Sequence, residues 1–96
     1  MLQLREQDRH TLQATLARFP EVHRAWVFGS RATGQARRTS DIDLAIEAPA
    51  VSPARWHALL DALEHAPIIY ALDVIHLDTL DDSALKQAIL RDRTPL

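Results

Sequence analysis

The 96-residue sequence has no cysteine, a single lysine (Lys86), and only two glycines, Gly29 and Gly34. Without cysteine it forms no disulfide and no zinc–thiolate site, a composition that fits a reducing compartment. Long apolar runs are also missing. No segment approaches the roughly 20 apolar residues of a membrane span, and Met1-Leu2-Gln3-Leu4-Arg5-Glu6 has no apolar signal core. The expectation is a cytoplasmic protein that makes no membrane contact. Excess positive charge is lacking too. A net charge of −2 argues against a nucleic-acid coat, which displaces counterions with a basic surface. No direct nucleic-acid binding is expected, although a single nucleotide needs only a few local positive groups. Arginine far outnumbers lysine, and no function is drawn from that. None of the five histidines, His10, His23, His57, His65 and His76, pairs with another at metal-ligand spacing. Repeats, low-complexity segments and linkers are absent.

What remains is an ordinary globular composition, 47% hydrophobic and 25% charged, of a length for one domain over residues 1–96. The elements alternate. Leu4, Leu12, Leu16 and Phe19 fall near one face of a helix over 4–18, stopped by Pro20. Residues 24–28 read as a strand, 30–40 as a loop with room for a short helix, and 41–48 as a strand of period two ending before Pro49. Ser52-Pro53 is a helix start, an N-cap followed by proline, and Trp56, Leu59, Leu60 and Leu63 continue it as an apolar stripe. A third strand covers 69–77. A last helix covers about 82–92, with Asp81 and Asp82 near its N-terminal dipole. The expected fold class is α/β (α+β), a small mixed β-sheet backed by helices on one side. An open sheet edge makes homo- or hetero-oligomers an expectation. Little sequence is left for an acceptor pocket, so a large acceptor is expected to be recognised by a partner domain, an oligomer or the open sheet face.

The chemistry concentrates in residues 29–43. A glycine at the end of the Ala25-Trp26-Val27-Phe28 run lets the chain turn sharply and approach a ligand, and Ser30 and nearby amides can donate to phosphate oxygens. Alone, such a turn is unremarkable. Asp41 and Asp43, however, follow on one face of a strand about 6.5 Å apart. At an effective dielectric near 20 they repel by about 2.5 kcal/mol, which a cation relieves. Magnesium takes carboxylate oxygens together with substrate phosphates. The competing reading is a solvated polar face on an edge strand. Asp73 sits within the apolar run Tyr70-Ala71-Leu72-Asp73-Val74-Ile75-His76-Leu77. A lone carboxylate there is costly to bury unless paired or metal-bound. If its strand lies beside 41–48, Asp73 completes a three-carboxylate site or accepts the proton of an attacking hydroxyl; otherwise it faces solvent. Arg31, Arg37 and Arg38 flank the motif, as bidentate phosphate ligands or as a solvated basic loop. His76 is three residues past Asp73 and points to the opposite strand face. Trp26 is either core or part of a face that meets a partner.

Taken together, Gly29-Ser30-Arg31-Ala32-x-Gly34, five further residues and Ser40-Asp41-x-Asp43-Leu44 resemble the signature of the minimal nucleotidyltransferases of the DNA polymerase β-like superfamily. The resemblance spans nearly the whole chain and implies the nucleotidyltransferase fold. It places Gly29, Ser30, Arg31 and Ser40 at the nucleotide, and assigns Asp41 and Asp43 to two Mg²⁺ ions. Asp73 is implied to help hold the catalytic metal and to activate the acceptor hydroxyl. The implied reaction is in-line attack on the α-phosphate of a nucleoside triphosphate, with pyrophosphate leaving.

Stand-alone members of this size are often encoded beside a helical HEPN-type partner. The resemblance therefore implies an antitoxin that transfers AMP from ATP to a tyrosine of a HEPN ribonuclease toxin. Two alternatives stand beside it: a non-catalytic antitoxin that neutralises its HEPN partner by binding, and a small-molecule nucleotidyltransferase of the antibiotic-modifying kind.

Overall fold

The computed structural model describes residues 2–37 and 39–96; Arg38 lies outside them. Along the chain come α1 (Glu6–Leu16), β1 (Arg24–Phe28), α2 (Ser30–Thr33), β2 (Ile42–Glu47), α3 (Pro53–Glu64), β3 (Leu72–His76), a 3₁₀ turn (Leu77–Thr79), α4 (Ser83–Asp92) and β4 (Thr94–Pro95). The strands form one mixed sheet in the order β3-β2-β1-β4. β1 is antiparallel to both β2 and β4, and β2 is parallel to β3.

The helix starts follow from local chemistry. Ser52 Oγ accepts from Arg55 N–H at 3.1 Å, and Pro53 gives up no helical hydrogen bond at the first position. Asp82 Oδ1 accepts from Leu85 N–H at 3.0 Å and caps α4 in the same way. α1 starts at Glu6, later than the periodicity predicts, because Gln3 N–H bonds to Arg31 O at 2.7 Å and draws the leading residues onto the loop. α1 also ends ahead of Pro20, where Phe19 N–H turns back onto Leu16 O at 3.0 Å.

Alternation along the strands sorts the core. Val27, Ile42, Leu44 and Ile46 face α1 and α3, and pack with Leu12, Leu16, Phe19, Leu59 and Leu63. The intervening residues Trp26, Phe28 and Ala45 face the other way, onto Leu77 and Ile89, with Ile75, Leu80 and Leu85 beside them. Helices therefore cover both faces of the sheet, a correction to the one-sided arrangement expected. The reason is that β1 is apolar on both faces, as a strand covered twice must be. Trp26 is core, 6% exposed, with the Arg93 guanidinium 4.5 Å from its ring centroid.

β3 is shorter than the predicted 69–77, since Leu77 already belongs to the 3₁₀ turn. β4 was not predicted: two residues carry no periodicity, and Pro95 fits only because β4 lies at the sheet edge. Among the described residues, no helix is long and apolar enough to cross a membrane.

Candidate active site

The site lies on the α4 face of the sheet, at the end where β1 passes into α2. Gly29 makes that passage with φ +70° and ψ −150°. A Cβ there would fall 2.5 Å from Asp43 Oδ2, so the turn both requires a left-handed backbone and brings it against a carboxylate. Ala32 N–H closes back on Gly29 O at 3.1 Å, which leaves the amides of Ser30 and Arg31 ahead of the first intrahelical bond. Gly34, at φ +81°, ends α2 in a left-handed cap.

Asp41 is exposed just before β2, and Asp43 is half-buried within it. In the parallel ladder Asp43 is in register with Asp73, and in the antiparallel one with Phe28. Asp43 and Asp73 therefore share a face on strands about 4.8 Å apart. Ile42 N–H bonds to Ala71 O at 2.9 Å and anchors the start of this pairing. The condition set by the sequence, that the third strand lie beside 41–48, is met. Burial raises the Asp43 pKa above the usual 3.8, the charges of Asp73 and then Asp41 push the same way, and the Arg31 guanidinium opposes them.

Among the described residues, no three carboxylate, imidazole or thiol groups form a cluster that could hold an ion unaided. The donor set still suits magnesium, which keeps several waters and takes phosphate oxygens from a substrate. Asp41, Asp43 and Asp73 offer only hard oxygen donors, and the repulsion around Asp43 is of the kind that a cation removes.

Arg31 is placed differently from the phosphate ligand expected of it. It is 6% exposed, and all three of its guanidinium nitrogens donate to backbone carbonyls: Nη2 to Ser40 O at 2.6 Å, Nε to Ser40 O and Asp41 O at 3.2 and 3.3 Å, and Nη1 to Gln3 O at 3.0 Å. Its Cζ lies 4.4 Å from the Tyr70 ring centroid. Ser40 closes the loop, its Oγ accepting from Arg37 N–H at 2.8 Å. Arg37 itself is exposed.

Three residues that the sequence did not single out support this arrangement. Gln3 Oε1 accepts from Ala36 N–H at 2.6 Å, which adds to its backbone bonds with Arg31. Asp8, 1% exposed, accepts two bonds from Arg5, at 2.8 and 3.2 Å, and Arg5 reaches the same Tyr70 ring at 5.7 Å. Asp8 falls on the inner face of α1, and a carboxylate on an apolar face was the available signal. His76 points away from the carboxylates as expected, stacked on Trp56 with centroids 4.4 Å apart. An apolar groove of about 430 Å³ includes Leu72 and Val74, the β3 residues on the face away from Asp73.

The chain is similar in fold to three solved toxin–antitoxin structures. One, a toxin–antitoxin with AMP-PNP, is 22% identical with a TM-score of 0.68, over 92% of this chain and 71% of that one. A second, the toxin–antitoxin MntA–HpeT with two aspartates changed to glutamate, is 24% identical with a TM-score of 0.59, over 96% and 71%. A third, MntA–HpeT with a tyrosine changed to alanine, is 26% identical with a TM-score of 0.61, over 98% and 72%. No curated protein sequence matches the chain. The family model described as polymerase beta, nucleotidyltransferase, matches residues 10–96, and the chain belongs to that nucleotidyltransferase family.

Proposed function

We propose that the chain is a Mg²⁺-dependent protein adenylyltransferase, an antitoxin that transfers AMP from ATP to a tyrosine hydroxyl of a HEPN-type ribonuclease toxin. The observation that carries the proposal is the registered pair Asp43–Asp73, open to one face of the sheet, with the Gly29 turn against the Asp43 carboxylate. Two acids side by side across a ladder, with Asp41 two residues before one of them, are costly to a pure binding module and useful to a catalyst. The likeness to structures described as toxin–antitoxin, one of them with AMP-PNP, supports the antitoxin role and the adenine nucleotide.

Asp41 and Asp43 would hold two magnesium ions, with Asp73 on the catalytic one. When bound, the ions supply charge stabilisation at the phosphates and a template for in-line geometry. The chain's own groups supply the rest. The amides of Ser30 and Arg31 and the Ser30 hydroxyl donate to the triphosphate, and Gly29 keeps the backbone close to it. Asp73 accepts the proton of the acceptor hydroxyl as its oxygen bonds to the α-phosphorus. The bond from that phosphorus to the bridging oxygen breaks, and pyrophosphate leaves.

Calorimetry with a non-hydrolysable ATP analogue tests the site before any acceptor is known. Binding that requires Mg²⁺ and is lost in Asp41→Ala/Asp43→Ala supports the proposal, and label transfer from α-³²P-ATP to the toxin then completes it. A folded protein that binds no nucleotide, or a double variant that still neutralises its toxin, reduces the chain to a binding antitoxin. Transfer to an aminoglycoside-type small molecule instead of protein would show the antibiotic-modifying chemistry.

A further inference from the structure

The guanidinium of Arg31 is a buried charge that forms no ion pair among the described residues. Burying it demands a full set of hydrogen-bond acceptors. The fold provides carbonyl oxygens from two segments far apart in sequence, Gln3 on one side and Ser40 with Asp41 on the other, and the face of Tyr70 as a third wall. Each contact bears on the acids. The Asp41 and Ser40 carbonyls belong to the backbone that sets where the Asp41 side chain starts. Tyr70 leads into the strand that carries Asp73, and Arg31 itself sits two residues past Gly29.

We infer that Arg31 is a positioning residue, not a phosphate ligand: it ties the backbone of Ser40 and Asp41 to the Gly29 turn and the Tyr70 lead-in, and so fixes Asp41 beside Asp43. At 6% exposure, with all three nitrogens already donating to carbonyls, the guanidinium is turned into the fold and away from the open face where a phosphate would dock. Lysine does not substitute for it, because one ammonium cannot span the Gln3 and Ser40 carbonyls as a planar fork does. The role rests on the proposed metal-dependent site for its consequence, and on backbone geometry alone for its structural content.

Two readouts separate these parts. The first is amide hydrogen exchange in the absence of metal at Ser40 and Ile42, which donate to Arg37 O at 3.0 Å and Ala71 O at 2.9 Å. In Arg31→Lys and Arg31→Ala these amides should exchange about tenfold faster or more while core amides of β1 hold, as expected of a locally released segment. The second is Mn²⁺ affinity without nucleotide, which should weaken about 10–100-fold, as when a group that orients metal ligands is removed. Leu59→Val, which destabilises the opposite core at 0% exposure, should leave Mn²⁺ affinity unchanged.

Unchanged exchange at Ser40 and Ile42 in folded Arg31→Lys overturns the inference. So does unchanged Mn²⁺ affinity accompanied by weakened tripolyphosphate binding, which would make Arg31 the phosphate ligand, and so does faster exchange with no loss of Mn²⁺ affinity, which would make it merely structural. If the unaltered protein binds no Mn²⁺, the proposed catalytic function fails, while the exchange data still decide whether Arg31 holds the loop. Should Arg31→Ala not fold, Arg31→Lys carries both measurements.

Discussion

Gly29 and Asp43 are in contact across the β1–β2 ladder, the glycine Cα side turned to the carboxylate so closely that a methyl group at residue 29 would lie 2.5 Å from Oδ2. The turn and the acid are therefore one device. The backbone proposed to meet the phosphates is also the wall against which Asp43 rests.

Gly29→Ala introduces two faults: a φ of +70° that an L-residue rarely adopts, and a methyl group inside van der Waals contact with Asp43. The expected loss of stability is about 1–3 kcal/mol. Mg²⁺-dependent nucleotide binding should be lost by more than the stability change explains, because Asp43 must move to admit the methyl group. Urea unfolding together with calorimetry checks both. Gly34→Ala, at φ +81° at the far end of α2, should cost stability and spare most of the binding.

The Asp43 carboxylate has its pKa raised above 3.8 by burial, Asp73 and Asp41. The folded chain holds that proton more tightly than the unfolded chain does. The stability linked to this group is therefore full below pH 3.8 and is lost as the pH rises through the raised value. Without metal, Asp43→Asn should melt at a higher temperature than the unaltered protein at pH 7, and the gap should close as the pH falls toward 3. Adding Mg²⁺ should raise the melting temperature of the unaltered protein and leave that of Asp43→Asn nearly unmoved. Thermal scans across pH, with and without Mg²⁺, decide it; a metal-free variant less stable at pH 7 would contradict the electrostatic account.

Asp73 is the exposed partner of Asp43 in the parallel ladder. As acceptor of the hydroxyl proton it should act mainly on the chemical step. Asp73→Asn should slow AMP transfer by about 10²–10⁴-fold while the nucleotide analogue binds within about tenfold of the unaltered protein. Single-turnover transfer measured beside calorimetric binding separates the two, and equal losses in both would assign Asp73 to binding alone.

Much of this arrangement is set by short-range pattern. The alternation Ile42, Leu44, Ile46 against Asp41 and Asp43 determines both the strand and the face its carboxylates share, because side chains on a strand repeat every two residues. Ser52-Pro53 determines where α3 begins, since capping depends on residues within one turn. Gly29 and Ser30 mark the turn for the same reason. The spacing of these pieces, taken together, carries the family resemblance.

Only the tertiary structure decided the rest. That Asp73 stands beside Asp43 depends on β3 joining β2 in parallel across α3, a pairing between residues 30 apart. The fate of Arg31 depends on carbonyls at Gln3, Ser40 and Asp41, and nothing near Arg31 in the chain distinguishes a buried strut from a solvated phosphate ligand. The two-sided core turns on where α4 packs, and β4 on a two-residue strand that closes against β1 from some 68 residues away. Patterns of period two or 3.6 report which side of an element is apolar. Which other element covers that side, and which distant backbone meets a charged group, is settled when the chain closes on itself.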